Sequence, residues 1–172
     1  MTNQELRNQI IITLLSRGDD AKNVVRLANY ILSEMDSSQP IVEREADTAP
    51  FVSIAEKDGQ QWVRVRVGDE DFLIASHDYK KDGKDKFTWE EACKIETANK
   101  KQWLIIAAFK EQINSKLKEI GGDVISNKDY WSVQEYNADY AWCYYGGGGL
   151  VSISNKRNSV TVRPVLALEV NS

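Results

Sequence analysis

Thiol and imidazole side chains are few in this chain. It holds two cysteines, Cys93 and Cys143, and a single histidine, His77. A thiol becomes a useful nucleophile when a nearby base or cation depresses its pKa, and nothing in the sequence sets His77 beside either cysteine. One histidine also excludes metal sites built from several imidazoles, and the cysteines lie too far apart for a zinc-ligand pair. Glu90 and Glu91 form a carboxylate pair at a predicted helix start, where the helix dipole accounts for them. The glycines at 146–149 are followed by no Lys-Ser/Thr and open no helix, so they are not a phosphate loop. "HDYKKDGKDK" (77–86) lacks the acidic spacing of a calcium loop and reads as a solvated turn. No catalytic residue, metal or cofactor is expected.

The stretch "WCYYGGGGL" (142–150) points to contact rather than catalysis. Tyr, Ser and Gly dominate evolved recognition loops because they join large contact area to adaptable hydrogen bonding at low entropic cost. Read as strands of period two, Trp142 and Tyr144 share one face, Cys143 and Tyr145 the other. Val151 and Ile153 share one face, and Leu150, Ser152 and Ser154 the other. Trp142, Val151 and Ile153 read as core. The opposite set is a mixed surface, which by composition also suits an ordinary solvent-facing strand.

The elements that carry these residues follow from periodicity. Leu6, Ile10 and Leu14, then Val24, Leu27, Ile31 and Met35, recur at helical spacing. They predict a helical hairpin over 1–36, used for oligomerisation or attachment. Residues 37–50, polar and proline-bearing, read as a linker. "FVSIAE", "QWVRVRVG" and "DFLIAS" predict a three-stranded meander. Thr88 and Glu91 form a capping box for a helix that carries Cys93 inward. A second helix places Phe109, Ile113, Leu117 and Ile120 on one face and stops at Gly121. From there to the end the pattern is all strand. The order is α+β.

Bulk properties narrow the partners. With 172 residues and 42% hydrophobic content the chain can fill one sizeable core. A net charge of −4 offers no basic footprint for nucleic acid. No apolar run is long enough for membrane insertion, and the start lacks a cationic leader, so no signal peptide is expected. The cysteines are then expected as free thiols.

The segment "YWSVQEYNADYAWCYYGGGGLVSISNKRNSVTVRPVLAL" resembles the C-terminal half of a C-type-lectin-fold family. The family pattern falls on Tyr130, Trp131, Ser132, Glu135, Tyr136, Ala141, Trp142, Gly149, Lys156, Ser159, Val162, Arg163, Pro164 and Val165. "TWEEACK" and "INSKLKEIGG" resemble its helices, and the likeness covers 51–172. It implies a C-type-lectin-like ligand-binding domain over 51–172, with Trp131, Glu135, Trp142 and Arg163 as scaffold. Trp131 and Trp142 would build the core, and a buried Arg163 needs an acidic partner, for which Glu135 is the candidate. Where family members read Trp-Arg-Leu-Pro-Thr between two helices, this chain reads Trp103 to Ala108 without the Arg or Pro. An aromatic position of the family is Gly146 here, which implies looser packing.

Some such domains are the variable proteins of diversity-generating retroelements, including phage receptor-binding proteins. There a reverse transcriptase mutates adenines, so Asn codons scatter into other residues. In this chain the corresponding positions are Asn137, Ala138, Asp139, Tyr140, Cys143, Tyr145, Gly147, Gly148, Leu150, Ser152, Ser154 and Val160. All these types are reachable from an Asn codon through its first two letters; Trp, Glu, Gln, Lys and Met are not, and four of the five such residues within 130–163 stand on motif positions. The resemblance implies a non-enzymatic recognition module whose variable face binds a protein or cell-surface glycan. It implies a place in a virion, otherwise in the cytoplasm; a homo-oligomer through the N-terminal helices, which lie outside the likeness, is expected because multiple display raises avidity. Two alternatives share the scaffold: an undiversified structural domain, and an enzyme of the formylglycine-generating type. The second uses a close cysteine pair, which Cys143 lacks; calcium-dependent sugar motifs are also absent.

Overall fold

In the computed structural model, residues 52–68 and 70–168 are described, all within the unit Ala49–Ser172. The expected hairpin at 1–36, the linker at 37–50 and oligomerisation through those helices lie outside the described residues.

The meander forms as the alternation predicts. β1 (Val52–Lys57), β2 (Gln60–Val67) and β3 (Glu70–Ala75) pair antiparallel in sequence. Asp58 and Gly59 join β1 to β2 with positive φ, 53° and 73°, the turn backbone whose twist suits a tight hairpin. Val63, Val65, Val67, Phe72 and Ile74 face inward and are buried. A short strand near the end of the chain, β7 (Val165–Ala167), returns to pair with β3, giving the order β1-β2-β3-β7.

Three helices lie between the sheets in sequence. Glu91 accepts the Thr88 backbone N–H (2.8 Å), so the capping box opens α1 (Trp89–Ala92) as expected. Cys93, the C-cap residue, is exposed, not inward; the neighbouring Ala92 takes the buried position. α2 (Lys100–Ala108) starts on a reciprocal cap in which Asn99 Oδ1 accepts from Gln102 N–H (2.8 Å) and Gln102 Oε1 from Asn99 N–H (2.9 Å). Periodicity misses this helix because Trp103, Ile105, Ile106, Ala107 and Ala108 are all buried, which leaves no polar stripe to set a period. The span from Trp103 to Ala108 is therefore helix, not a connection between helices. α3 (Lys110–Glu119) buries Ile113 and Leu117, and Gly121 follows it at φ 69°.

The second sheet has the order β4-β5-β6, from β4 (Asp129–Glu135), β5 (Tyr140–Tyr145) and β6 (Leu150–Asn155). Two cores meet at it. On one face Tyr130 and Tyr144 join the main core, where Tyr144 stacks on Trp103 with ring centroids 5.0 Å apart. On the other, Trp131, Ala141 and Cys143 pack with Phe87, Ala92, Val160 and Val162. A strand covered on both faces carries apolar residues at consecutive positions. That is why alternation fails to sort inside from outside in β5. The described residues form a mixed α+β fold of two antiparallel sheets and few helices.

Candidate binding surface

Arg163 holds the frame beneath the surface. Its side chain is fully buried, and Nε donates to Asp78 Oδ1 at 2.8 Å. Nη1 donates to the carbonyls of Ala75 (2.9 Å) and Ser76 (3.1 Å), and Nη2 to that of Asp123 (2.9 Å). Lys128 reaches the second oxygen of Asp78 at 2.9 Å, and this contact holds its ammonium pKa above the usual lysine value. The guanidinium thus joins the end of β3, the 121–125 connection and the run into β7. The acidic partner is Asp78, not Glu135. Glu135 is exposed and pairs with Lys156, whose ammonium also lies 4.6 Å from the Trp89 ring centre. Asp78 escaped notice because it sits in a segment whose composition reads as a solvated turn.

The tryptophans divide unequally. Trp131 is fully buried, and its indole N–H donates to Phe87 O at 2.7 Å. Trp142 is only half-buried and belongs to neither core cluster. Tyr136 meets its ring edge-on at 5.2 Å, and the Lys100 ammonium lies 3.8 Å from its centre. Its pairing partner Ile153 is exposed, and Val151 is half-buried. The expected core set holds in part: Val151 packs against the main core, but Trp142 and Ile153 do not join it, because Trp103 of α2 lies over Tyr144 while only Lys100, at its start, reaches Trp142.

The glycine run splits in two. A Cβ on the buried Gly146 would lie 2.0 Å from Lys128 O and 2.6 Å from Asn127 C, both backbone atoms. Packing at 146 is therefore tight, not loose. Gly149 takes φ +66°, and its N–H donates to Tyr145 O at 2.9 Å; that backbone favours glycine. Gly147 and Gly148 are exposed, and a Cβ on either would meet side chains only, those of Tyr145 and Leu150.

Most of the sequence-predicted contact residues reach the surface, in two groups. Asn137, Ala138 and Asp139 form an exposed turn in which Asn137 Oδ1 accepts from the N–H of Asp139 (3.0 Å) and Tyr140 (2.9 Å). Tyr145, Gly147, Gly148 and Leu150 are exposed at the β5–β6 turn, and Ser152 and Ser154 are half-exposed along β6. Tyr140 is exposed but points to the sheet face opposite that of Tyr145, about 17 Å away along β5 at ~3.4 Å per residue. One continuous face holding both tyrosines does not form. Cys143 and Val160 are corrected outright: both are buried against Trp131 and Phe87. Burial, with Asp129 nearby, pushes the Cys143 thiol up to about 11, the opposite of an activated nucleophile. Exposed Tyr136, Val133 and Ile153 were missed as surface; Tyr136 sits in the polar stretch before β5, a signal that could have found it.

Other chemistry is sparse here too. An open cleft of about 430 Å³ lies between Cys93, Thr97, Gln102 and Val133. Partial desolvation also raises the pKa of the Cys93 thiol, although the residue is exposed. Among the described residues no group of three or more His, Cys, Asp and Glu could hold a metal ion, and no helix is long and apolar enough to cross a membrane. No protein-family model matches the chain, and a search of curated proteins finds no significant match.

Proposed function

We propose that residues 51–172 form a C-type-lectin-like recognition module, without catalytic activity, that presents a diversified surface to a protein or cell-surface ligand, as a phage or prophage receptor-binding protein does. The observation that carries this reading is how burial divides the sequence. Half of the motif positions, Tyr130, Trp131, Ser132, Ala141, Val162, Arg163 and Val165, are buried, whereas Glu135, Tyr136 and Ser159 are exposed. The residues that an Asn codon can reach lie mostly at the surface, on the 137–139 turn and along Tyr145–Ser154. A typical recognition patch takes about 800 Å² per partner. The second group, with Tyr145 and Leu150 about half exposed, supplies its apolar anchors.

The test lies in the gene. A near-copy of the codons for 130–163 beside a reverse-transcriptase gene, differing at adenines only, is the expected finding. Natural variants should then differ at 147 and 148 while keeping Gly146 and Gly149, whose geometry admits no side chain cheaply. Differences spread over all four bases, or none at the surface codons, would overturn the proposal. For binding, Tyr145→Ala and Leu150→Ala should weaken capture of the target at unchanged melting temperature.

A further inference from the structure

β6 is an edge strand, hydrogen-bonded in its sheet to β5 alone. Lys156 N–H donates to Asp139 O, so in the β5–β6 register the hydrogen-bonded pairs are 141/154, 143/152 and 145/150. The far side of the sheet agrees: Trp131 N–H goes to Thr161 and Val133 N–H to Ala98, both away from β5. Val151, Ile153 and Asn155 therefore turn their backbone N–H and C=O outward. The Asn155 carbonyl accepts from Asn158 N–H; no backbone partner for Val151 or Ile153 is found on that side among the described residues.

Such an edge is a template for another strand, and proteins blunt it with charge, proline or a bulge. β6 reads Leu-Val-Ser-Ile-Ser-Asn, without charge or proline, and its register with β5 is unbroken. Around Ile153 the flanking residues match, Ser152 and Ser154, while the next pair, Val151 and Asn155, is unlike. Antiparallel self-pairing about Ile153 is an isologous contact, the kind a two-fold axis makes.

We propose that β6 pairs antiparallel with β6 of a second copy of this chain, about a two-fold axis at Ile153, and so joins two three-stranded sheets into one. Ile153 meets Ile153 of the second copy, beside the half-buried Trp142 on the same face. Ser152 faces Ser154 of the second copy, a hydroxyl pair of the favourable cross-strand type. The three outward residues on each strand supply up to about six backbone hydrogen bonds. The contact does not depend on the recognition reading, although it would set two copies of the Tyr145–Leu150 surface side by side and raise avidity.

Cysteine scanning in the full chain, with Cys93→Ser to silence the exposed thiol, tests the axis. Opposed residues of a hydrogen-bonded pair have Cα atoms about 5.5 Å apart, within disulfide range. Ile153→Cys should give a species of doubled mass on non-reducing gels after mild oxidation. Leu150→Cys, displaced from its counterpart by about 20 Å along the strands, should not. Ile153→Lys sets like charges at the axis and should halve the particle mass in sedimentation with the circular dichroism spectrum unchanged. Equal cross-linking of the two cysteines, no cross-linking of Ile153→Cys, or an unchanged mass for a folded Ile153→Lys overturns the proposal. If Ile153→Lys does not fold, the cysteine pair decides.

Discussion

Replacing Arg163 by Met tests the reasoning about the frame. Met fills part of the volume but makes none of the four short donor contacts, to Asp78 Oδ1 and to the carbonyls of Ala75, Ser76 and Asp123. The Asp78 side chain is only 3% exposed, so its carboxylate is left in a medium that stabilises it poorly. Removing one partner of a buried pair costs about 3–5 kcal/mol. Lys128 still reaches Asp78 and is itself 56% exposed, which places the expected loss near ~3 kcal/mol. Against a typical domain stability of about 5–15 kcal/mol that is a large fraction. Urea unfolding followed by tryptophan fluorescence reads it as a fall in midpoint at constant slope. Arg163→Met combined with Asp78→Leu removes both charges and should recover at least ~1 kcal/mol relative to the sum of the single changes. Glu135→Ala, at the partner expected from sequence, should cost less than ~1 kcal/mol because its ion pair is on the surface. A loss below ~1 kcal/mol for Arg163→Met, or additivity in the double variant, would refute the argument.

Three further outcomes follow from the same geometry. Gly146→Ala forces a Cβ into the backbone at 127–128 and should cost about 1–3 kcal/mol or more. Gly147→Ala meets only the Tyr145 side chain and should stay within ~0.5 kcal/mol; equal effects in denaturant melts would contradict the division of the glycine run. A thiol reagent at pH 8 should modify Cys93 in the native protein and Cys143 only after unfolding, counted by mass spectrometry. Glu91, hydrogen-bonded by Lys84 and by the Thr88 N–H, has its pKa lowered from 4.5 to about 2. A depressed carboxylate stabilises the fold above its unfolded pKa and loses that contribution as pH falls through the folded one. The stabilities of wild type and Glu91→Gln should therefore differ at pH 6 and converge between pH 4.5 and 2; a constant gap in urea midpoints would show that the carboxylate charge is irrelevant.

How much could be read beforehand depends on how each element is covered. The meander was legible because one face of β2 is buried and the other is not, so alternation maps directly onto Val63, Val65 and Val67. Helix α3 was legible for the same reason at helical period. Helix α2 was not, because burial all round erases the amphipathic signal. β5 misled in the other direction. With cores on both of its faces, parity gave the right pairs but could not say that Cys143 is inside and Trp142 at the rim. The Arg163 partner was hidden by distance: Asp78 lies 85 residues away, in a stretch whose neighbours are lysines.

Local chemistry alone determined the turn at Asp58-Gly59 and the capping box at Thr88. It also determined the scarcity of thiols and imidazoles. These depend on a few adjacent residues or on composition, and no fold is needed to see them. Tertiary structure decided which glycines are obligatory, since only the approach of the 127–128 backbone forbids a side chain at 146 while 147 stays open. It also decided that Cys143 is covered while Trp142 stays at the rim, and that β6 ends its sheet with amides turned outward. Each of these is a relation between segments, fixed by what packs against a strand rather than by the strand's own sequence.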